Sequence, residues 1–236
     1  MFRTPYGLNV AALLFGLAVA APLVSGATIT YTDETAWSSA SMNLTAIGFE
    51  GLAPANSFSL YSTSAGLAVD GVQFVGVDGG GYQLSVNDAN FISPFFNWGT
   101  GAILAGPQYV SATVTPSIQV NLPSGVTAFG VNLMTASPNA TSFSITLSDG
   151  TTQMVSTFAR PQQAFFGATS DTPITSATFT LVGTIPTDNT QGLLDNFSFG
   201  AANTSGDQTG QVPETDTLIM IGTGLGGLAL MKKRAA

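Results

Sequence analysis

Through most of the chain apolar and polar residues alternate with a period of two. Phe129, Val131 and Leu133 alternate with small or polar residues, as do Phe143, Ile145 and Leu147, and then Ala177, Phe179 and Leu181. That is the pattern of strands that bury one face. Ser148-Asp149-Gly150, between two such runs, predicts a hairpin turn. Further strands are expected at 28–32, 44–50, 66–77, 82–86, 117–122, 151–158, 164–169 and 192–199, with a turn at Asp78-Gly79-Gly80-Gly81. Asp33 suits the N-cap of a short helix over 34–40 that turns Trp37 inward. About ten strands at regular spacing predict an all-β fold, a two-sheet antiparallel sandwich of jelly-roll type.

The two ends break this pattern. Arg3, an apolar run over 10–21 and the small residues Ser25-Gly26-Ala27 read as a signal helix that a signal peptidase removes near Ala27, with Ala18-Val19-Ala20 as the alternative site. At the other end Val212-Pro213-Glu214-Thr215 precedes an apolar run over 218–231 and the cluster Lys232-Lys233-Arg234. Apolar residues closed by positive charge predict a helix that enters a bilayer and stops at its cytoplasmic face. Fourteen residues are short for a permanent span, so the tail is expected to act as a transient sorting element. The chain therefore divides into a signal peptide at 1–27, a β-sandwich at 28–200, a flexible Asn/Ser/Thr/Gly linker at 201–211 and a membrane or sorting segment at 212–236.

Charge sharpens this picture. Between residues 27 and 200 there are ten acidic residues and one base, Arg160, a net charge of −9. Such a surface repels phosphate backbones, so nucleic acid is excluded as a partner, and divalent cations become the natural small ones. The chain has no cysteine and no histidine. Ser-His-Asp and Cys-His nucleophiles, thiolate or imidazole zinc sites and disulfides are therefore excluded. Of hydrolytic schemes, a carboxylate pair or an oxygen-ligated metal survives, but no pair of acids is singled out. The expectation is a protein that is not an enzyme.

Two places carry candidate chemistry. The least strand-like stretch, 87–101, holds Phe91, Phe95, Phe96 and Trp98. Such aromatics are either a sugar-stacking platform or a lid over the core. In the last strand Leu193, Asp195, Phe197 and Phe199 share one parity, which places Asp195 on the side of the core aromatics, where a carboxylate needs compensation.

The C-terminal tail from Val212 to Arg234 resembles the PEP-CTERM sorting signal of Gram-negative bacteria that make exopolysaccharide, a segment also catalogued as an ice-binding-protein C-terminal domain. It differs at Thr215, where that family has Pro. The resemblance implies export through the inner membrane, insertion of the tail, and processing by an exosortase-type enzyme that recognises Val212, Pro213, Glu214, Lys232, Lys233 and Arg234. The cell surface or extracellular matrix is the implied destination. Upstream, Tyr31-Thr32-Asp33, Phe49-Glu50-Gly51-Leu52, Gly71-Val72-Gln73-Phe74 and Leu194-Asp195-Asn196-Phe197 resemble sandwich domains that precede such tails.

Carbohydrate-binding jelly rolls, which these segments also resemble, hold a structural calcium between an early Phe-Glu and a late Asp. That implies one Ca2+ on Glu50 and Asp195. The alternative is that Asp195 caps a loop and Glu50 ends a strand in solvent. The functional expectation is a non-catalytic surface or matrix protein that binds extracellular polysaccharide, with Phe95, Phe96 and Trp98 as possible ligand contacts. The alternatives are a structural, adhesive or ice-binding protein presenting Thr178 and Thr180 outward, and, behind it, a carboxylate-pair glycoside hydrolase.

Overall fold

The computed structural model describes residues 27–62, 64–77, 84–91, 99, 101–107, 116–182 and 191–203. Among them lie β1 Thr28–Tyr31, α1 Glu34–Ser39, β2 Ser41–Ile47, β3 Phe58–Tyr61, β4 Leu67–Val69, β5 Val72–Val77, β6 Leu84–Asn87 and β7 Ile103–Ala105. After them come β8 Ser117–Asn121, β9 Ala128–Thr135, β10 Thr141–Leu147, β11 Thr152–Thr157, β12 Ala164–Ser170, β13 Ser176–Val182 and β14 Gly192–Ala202. The strands form two antiparallel sheets, so the all-β, two-sheet expectation holds. One sheet has eight strands in the order β1-β12-β9-β14-β7-β6-β3, with β2 also paired to β14. The other has six, β11-β10-β13-β8-β5-β4.

The alternating apolar residues close the space between the sheets. Phe129 of the larger sheet stacks on Phe197 at a centroid distance of 5.9 Å and meets Phe166 at 5.8 Å. It reaches across to Phe179 of the smaller sheet at 6.4 Å. Phe197 passes the contact on to Phe74 at 5.4 Å, and Phe74 to Phe49 at 5.6 Å. Edge-to-face and offset pairs of this kind add to the burial energy of the rings themselves.

A second, smaller apolar cluster lies on the other side of the larger sheet, facing away from the sandwich interior. Ile103, Ala105, Met134, Ala136 and Leu193 form it, with Phe91 packed against them. β7 has apolar residues on both of its faces, which is why Ala102-Ile103-Leu104-Ala105 reads as one unbroken apolar run.

α1 starts where expected: Asp33 accepts a hydrogen bond from the Ala36 N–H at 2.7 Å. Trp37 is 3% exposed, but it is seated outside the sandwich. Its indole lies on the outer face of the larger sheet, over Gly130 and Gly167, which are register partners on β9 and β12. A Cβ at Gly167 would stand 2.5 Å from Trp37 Cδ1, and one at Gly130 would stand 2.9 Å from Cε2. Trp37 Nε1 donates to the Ala168 carbonyl at 3.3 Å, and Phe165 packs beside the indole with ring centroids 5.5 Å apart.

Several boundaries differ from the sequence expectation. The stretch 66–77 is two strands, not one, because Asp70 and Gly71 both take positive φ, 49° and 81°, and turn the chain into a hairpin. The expected second strand at 44–50 is shifted to Ser41–Ile47, where it pairs with β14 from Ser41 to Ile47. β14 runs two residues into the expected linker, since Ala201 and Ala202 still pair with Met42 and Ser41. Phe58–Tyr61 and Ile103–Ala105 are strands the alternation did not predict, so the described residues carry fourteen strands where about ten were expected. The signal segment, the Asp78 to Gly81 turn and the sorting tail lie outside the described residues. Among the described residues no helix is long and apolar enough to cross a membrane.

Candidate functional site

The site is built by one irregularity in β14. Leu194 pairs with Leu133 and Asp195 with Asn132, but the register then shifts before Ser198 meets Gly130. Asn196 occupies the extra position, exposed and with φ 50°. One inserted residue reverses the parity of the rest of the strand. Leu194 and Phe197 both belong to the main core, while Leu193 belongs to the outer cluster.

This corrects the parity argument. Asp195 does not share a face with Phe197 and Phe199. It points to the outer face of the larger sheet, alongside its partner Asn132, and is 1% exposed there. Its Oδ1 accepts the N–H of Asn196 at 2.7 Å, so the carboxylate helps to hold the bulge.

The bulge also marks a change of neighbours. On one side of β14, Leu193 and Leu194 pair with β7, and from Phe197 onward the same edge pairs with β2. Where β2 leaves this edge, Ile47 and Phe49 enter the core, while Gly48 between them is exposed. Glu50 is exposed. Its carboxylate lies over Gly48 and Gly101, and a Cβ on either glycine would collide with a carboxylate oxygen. Glu50 thus lies after the end of β2, against Gly101 just before β7, while Asp195 stands on β14 opposite Asn132.

Glu50 and Asp195 each offer carboxylate oxygens. Such donors fit a hard cation of the calcium type. Among the described residues no three His, Cys, Asp or Glu side chains gather. A cation here would therefore complete its shell from carbonyls and water.

Beside the carboxylates the outer face is polar in a narrow band. Asn132 Nδ2 donates to Gln163 Oε1 at 2.9 Å, and both residues are half-buried next to Phe165. Asn87 on β6 donates to Ser85 Oγ at 3.0 Å, and both are buried. At the edge of the sheet Phe58 and Leu60 of β3, paired with Asn87 and Ser85, are exposed. Phe58 packs on Phe91 at 4.9 Å. Residues 88–102 connect β6 to β7. Phe95, Phe96 and Trp98, which are among them, lie outside the described residues, as do Val212, Pro213, Glu214, Lys232, Lys233 and Arg234.

Asn132 and Gln163 were not anticipated as site residues. The signal was present in the sequence: Asn132 is the one amide within the otherwise apolar run from Phe129 to Met134. Thr178 and Thr180 do face outward, on the smaller sheet, as the strand parity requires. There Thr178 pairs with Thr146 and Gln119, and Thr180 shares a hydrogen bond with Ser117 at 2.8 Å.

No protein-family model matches the chain, and no curated protein sequence matches it. Among solved structures, a mutant of CBM29-2, a family 29 carbohydrate binding module, is 10% identical with a TM-score of 0.34. The alignment covers 66% of this chain and 99% of that one. A second mutant of the same module is 11% identical, at a TM-score of 0.30, over 64% of this chain and 97% of its own. The isomalto-dextranase of Arthrobacter globiformis T6, complexed with panose, is 13% identical at a TM-score of 0.34. That alignment covers 73% of this chain and 34% of the dextranase.

Proposed function

We propose that the chain is an exported, non-catalytic surface or matrix protein whose jelly-roll-type sandwich binds neutral polysaccharide on the outer face of the eight-stranded sheet. The observation that carries this reading is the half-buried Asn132–Gln163 amide pair beside the Phe165 ring. Amides donate and accept at once, which suits sugar hydroxyls. A few placed polar groups on an apolar floor give such a site its orientation. The acidic excess disfavours an anionic glycan, so the ligand is a neutral one. Phe95, Phe96 and Trp98, from the loop between β6 and β7, are assigned to the same site as stacking residues. Electrophoresis of the exported chain through gels containing neutral polysaccharides tests this. Retardation is expected, and Trp98→Ala is expected to weaken it; uniform mobility across a panel of neutral glycans contradicts it.

Delivery is assigned to the two ends. Signal peptidase removes residues 1–27, the tail inserts in the inner membrane, and an exosortase-type enzyme reads Val212, Pro213, Glu214, Lys232, Lys233 and Arg234. Mass spectrometry of the exported form tests the last step, and a mature chain that still carries Lys232 to Arg234 contradicts it.

One Ca2+ is assigned to Glu50 and Asp195, where it would tie β14 to the chain leaving β2. The support is the pair of side-chain-free positions, Gly48 and Gly101, that leave room for the Glu50 carboxylate, and the hard-oxygen character of the two carboxylates. At 100 times its dissociation constant, calcium would add about 2.7 kcal/mol, a rise in melting temperature of roughly 5–10 °C for a domain of this size. The Glu50→Gln, Asp195→Asn double variant is expected to lose that rise. A melting temperature that is the same in calcium and in chelator rules the site out.

A further inference from the structure

β1 is the edge strand of the larger sheet, and its first residue makes an unusual tie to the smaller one. Thr28 Oγ1 donates to Asp149 Oδ2 at 2.5 Å, across a sequence separation of 121 residues. Asp149 sits in the turn between β10 and β11, where its carboxylate also accepts the Thr151 N–H at 2.8 Å and the Thr151 hydroxyl at 3.0 Å. Thr28 is the register partner of Ser170 on β12 and bonds its hydroxyl at 3.1 Å. Asp171 comes next, in the turn after β12. Two carboxylates, Asp149 and Asp171, thus flank the start of β1. Among the described residues the one base is Arg160, whose Nη1 donates to the Ala136 carbonyl.

Of the two cleavage sites the sequence offers, the one at Ser25-Gly26-Ala27 would put the cut immediately before Thr28. Within one threonine the amino nitrogen and the hydroxyl oxygen are only about 3 Å apart by covalent geometry. A new N-terminus at Thr28 therefore carries its ammonium group within a few ångströms of the carboxylate that the Thr28 hydroxyl already touches.

We propose that the α-amino group freed at Thr28 pairs with Asp149, so that removal of the signal peptide adds a clamp between the edge of the larger sheet and the β10–β11 turn of the smaller one. The uncut chain has a neutral amide at that position and lacks the clamp. Export thereby makes the sandwich more stable than its precursor. The clamp rests on the export reading, since it needs a chain cut before Thr28.

Linkage sets the sign of the pH dependence. An amine beside a carboxylate has its pKa raised above the usual value of about 7.7–8.0. Its contribution is complete below that range and is lost as pH rises through the folded value. Asp149 stays ionised throughout: burial raises its pKa, but the hydrogen bonds from Thr28 and Thr151 outweigh that and hold it below the ordinary carboxylate value. Tyr31, the other titratable group of β1, lies at the strand's far end, opposite Gly167.

Three forms of the chain, each beginning at Thr28 and otherwise complete, decide the question in urea unfolding between about pH 6 and 10. The first has a free amine, the second an acetylated one, and the third a free amine with Asp149→Asn, which retains an acceptor for Thr151. The free-amine form is expected to exceed the acetylated form by up to about fivefold in its folding constant at pH 6–7. It should fall to meet that form by about pH 10, and Asp149→Asn should abolish the step. Parallel profiles for the free and acetylated forms overturn the proposal, as does a step that survives Asp149→Asn. Mass spectrometry of the exported protein reports separately whether Thr28 is its first residue, so an error in the export reading is distinguishable from an error in the ion pair.

Discussion

Replacing Phe129 by alanine is expected to cost about 3–5 kcal/mol of folding stability, a fall in melting temperature of roughly 10–15 °C. The ring is fully buried and touches Phe166, Phe197 and, across the sandwich, Phe179. Its removal deletes one of the ring contacts that cross between the sheets, beside Phe74–Phe197 and Phe166–Phe179, and leaves a cavity among the remaining rings. Phe158 provides the control, being 55% exposed. Phe158→Ala is expected to change stability by no more than about 0.5 kcal/mol. Thermal unfolding measured by circular dichroism reports both, and a loss below about 1 kcal/mol at Phe129 would show that the core is not organised around it.

The second large effect is at Trp37. Trp37→Ala is expected to cost about 3 kcal/mol or more, because it uncovers the facing glycines Gly130 and Gly167 and removes the bond from Nε1 to Ala168. Gly167→Ala is expected to cost about 1–3 kcal/mol for a different reason, since its Cβ would press on the indole at 2.5 Å. The two changes are coupled. With Trp37 already replaced, Gly167→Ala should become nearly neutral, which a double-mutant cycle measures as an interaction energy. Simple addition of the two costs would mean that the glycines are small for some reason other than the indole.

Sandwich class and much of the strand map were legible in the sequence because a half-buried strand writes its burial as alternation. Phe129-Val131-Leu133, Phe143-Ile145-Leu147 and Ala177-Phe179-Leu181 all do so. Short strands did not, since Phe58–Tyr61 and Ile103–Ala105 are too brief to show a period, and the latter is apolar on both faces. Asp70-Gly71 carried a readable turn signal, an Asp-Gly step that supplies two positive φ values.

The site was harder. Parity counted from Leu193 to Phe199 assumes an unbroken pleat, and a single inserted residue at Asn196 inverts it. No residue type announces that bulge, since Asn is one of several residues able to take positive φ. Asp195 was singled out by that parity and joined to Glu50 by resemblance; it is buried as expected, but on the outer face. Trp37 was legible as buried, yet not where: its floor is Gly130 and Gly167, which lie on different strands and become neighbours only through the register of β9 and β12.

A face-by-face comparison of polysaccharide binding tests the central assignment most directly. Affinity gels would compare the unchanged chain with Asn132→Ala/Gln163→Ala, on the outer face of the eight-stranded sheet, and with Thr178→Ala/Thr180→Ala, on the outer face of the six-stranded one. The assignment predicts that the first pair weakens binding to a neutral polysaccharide about tenfold or more, while the second pair leaves it unchanged. Retardation that survives the first pair and disappears with the second would contradict it.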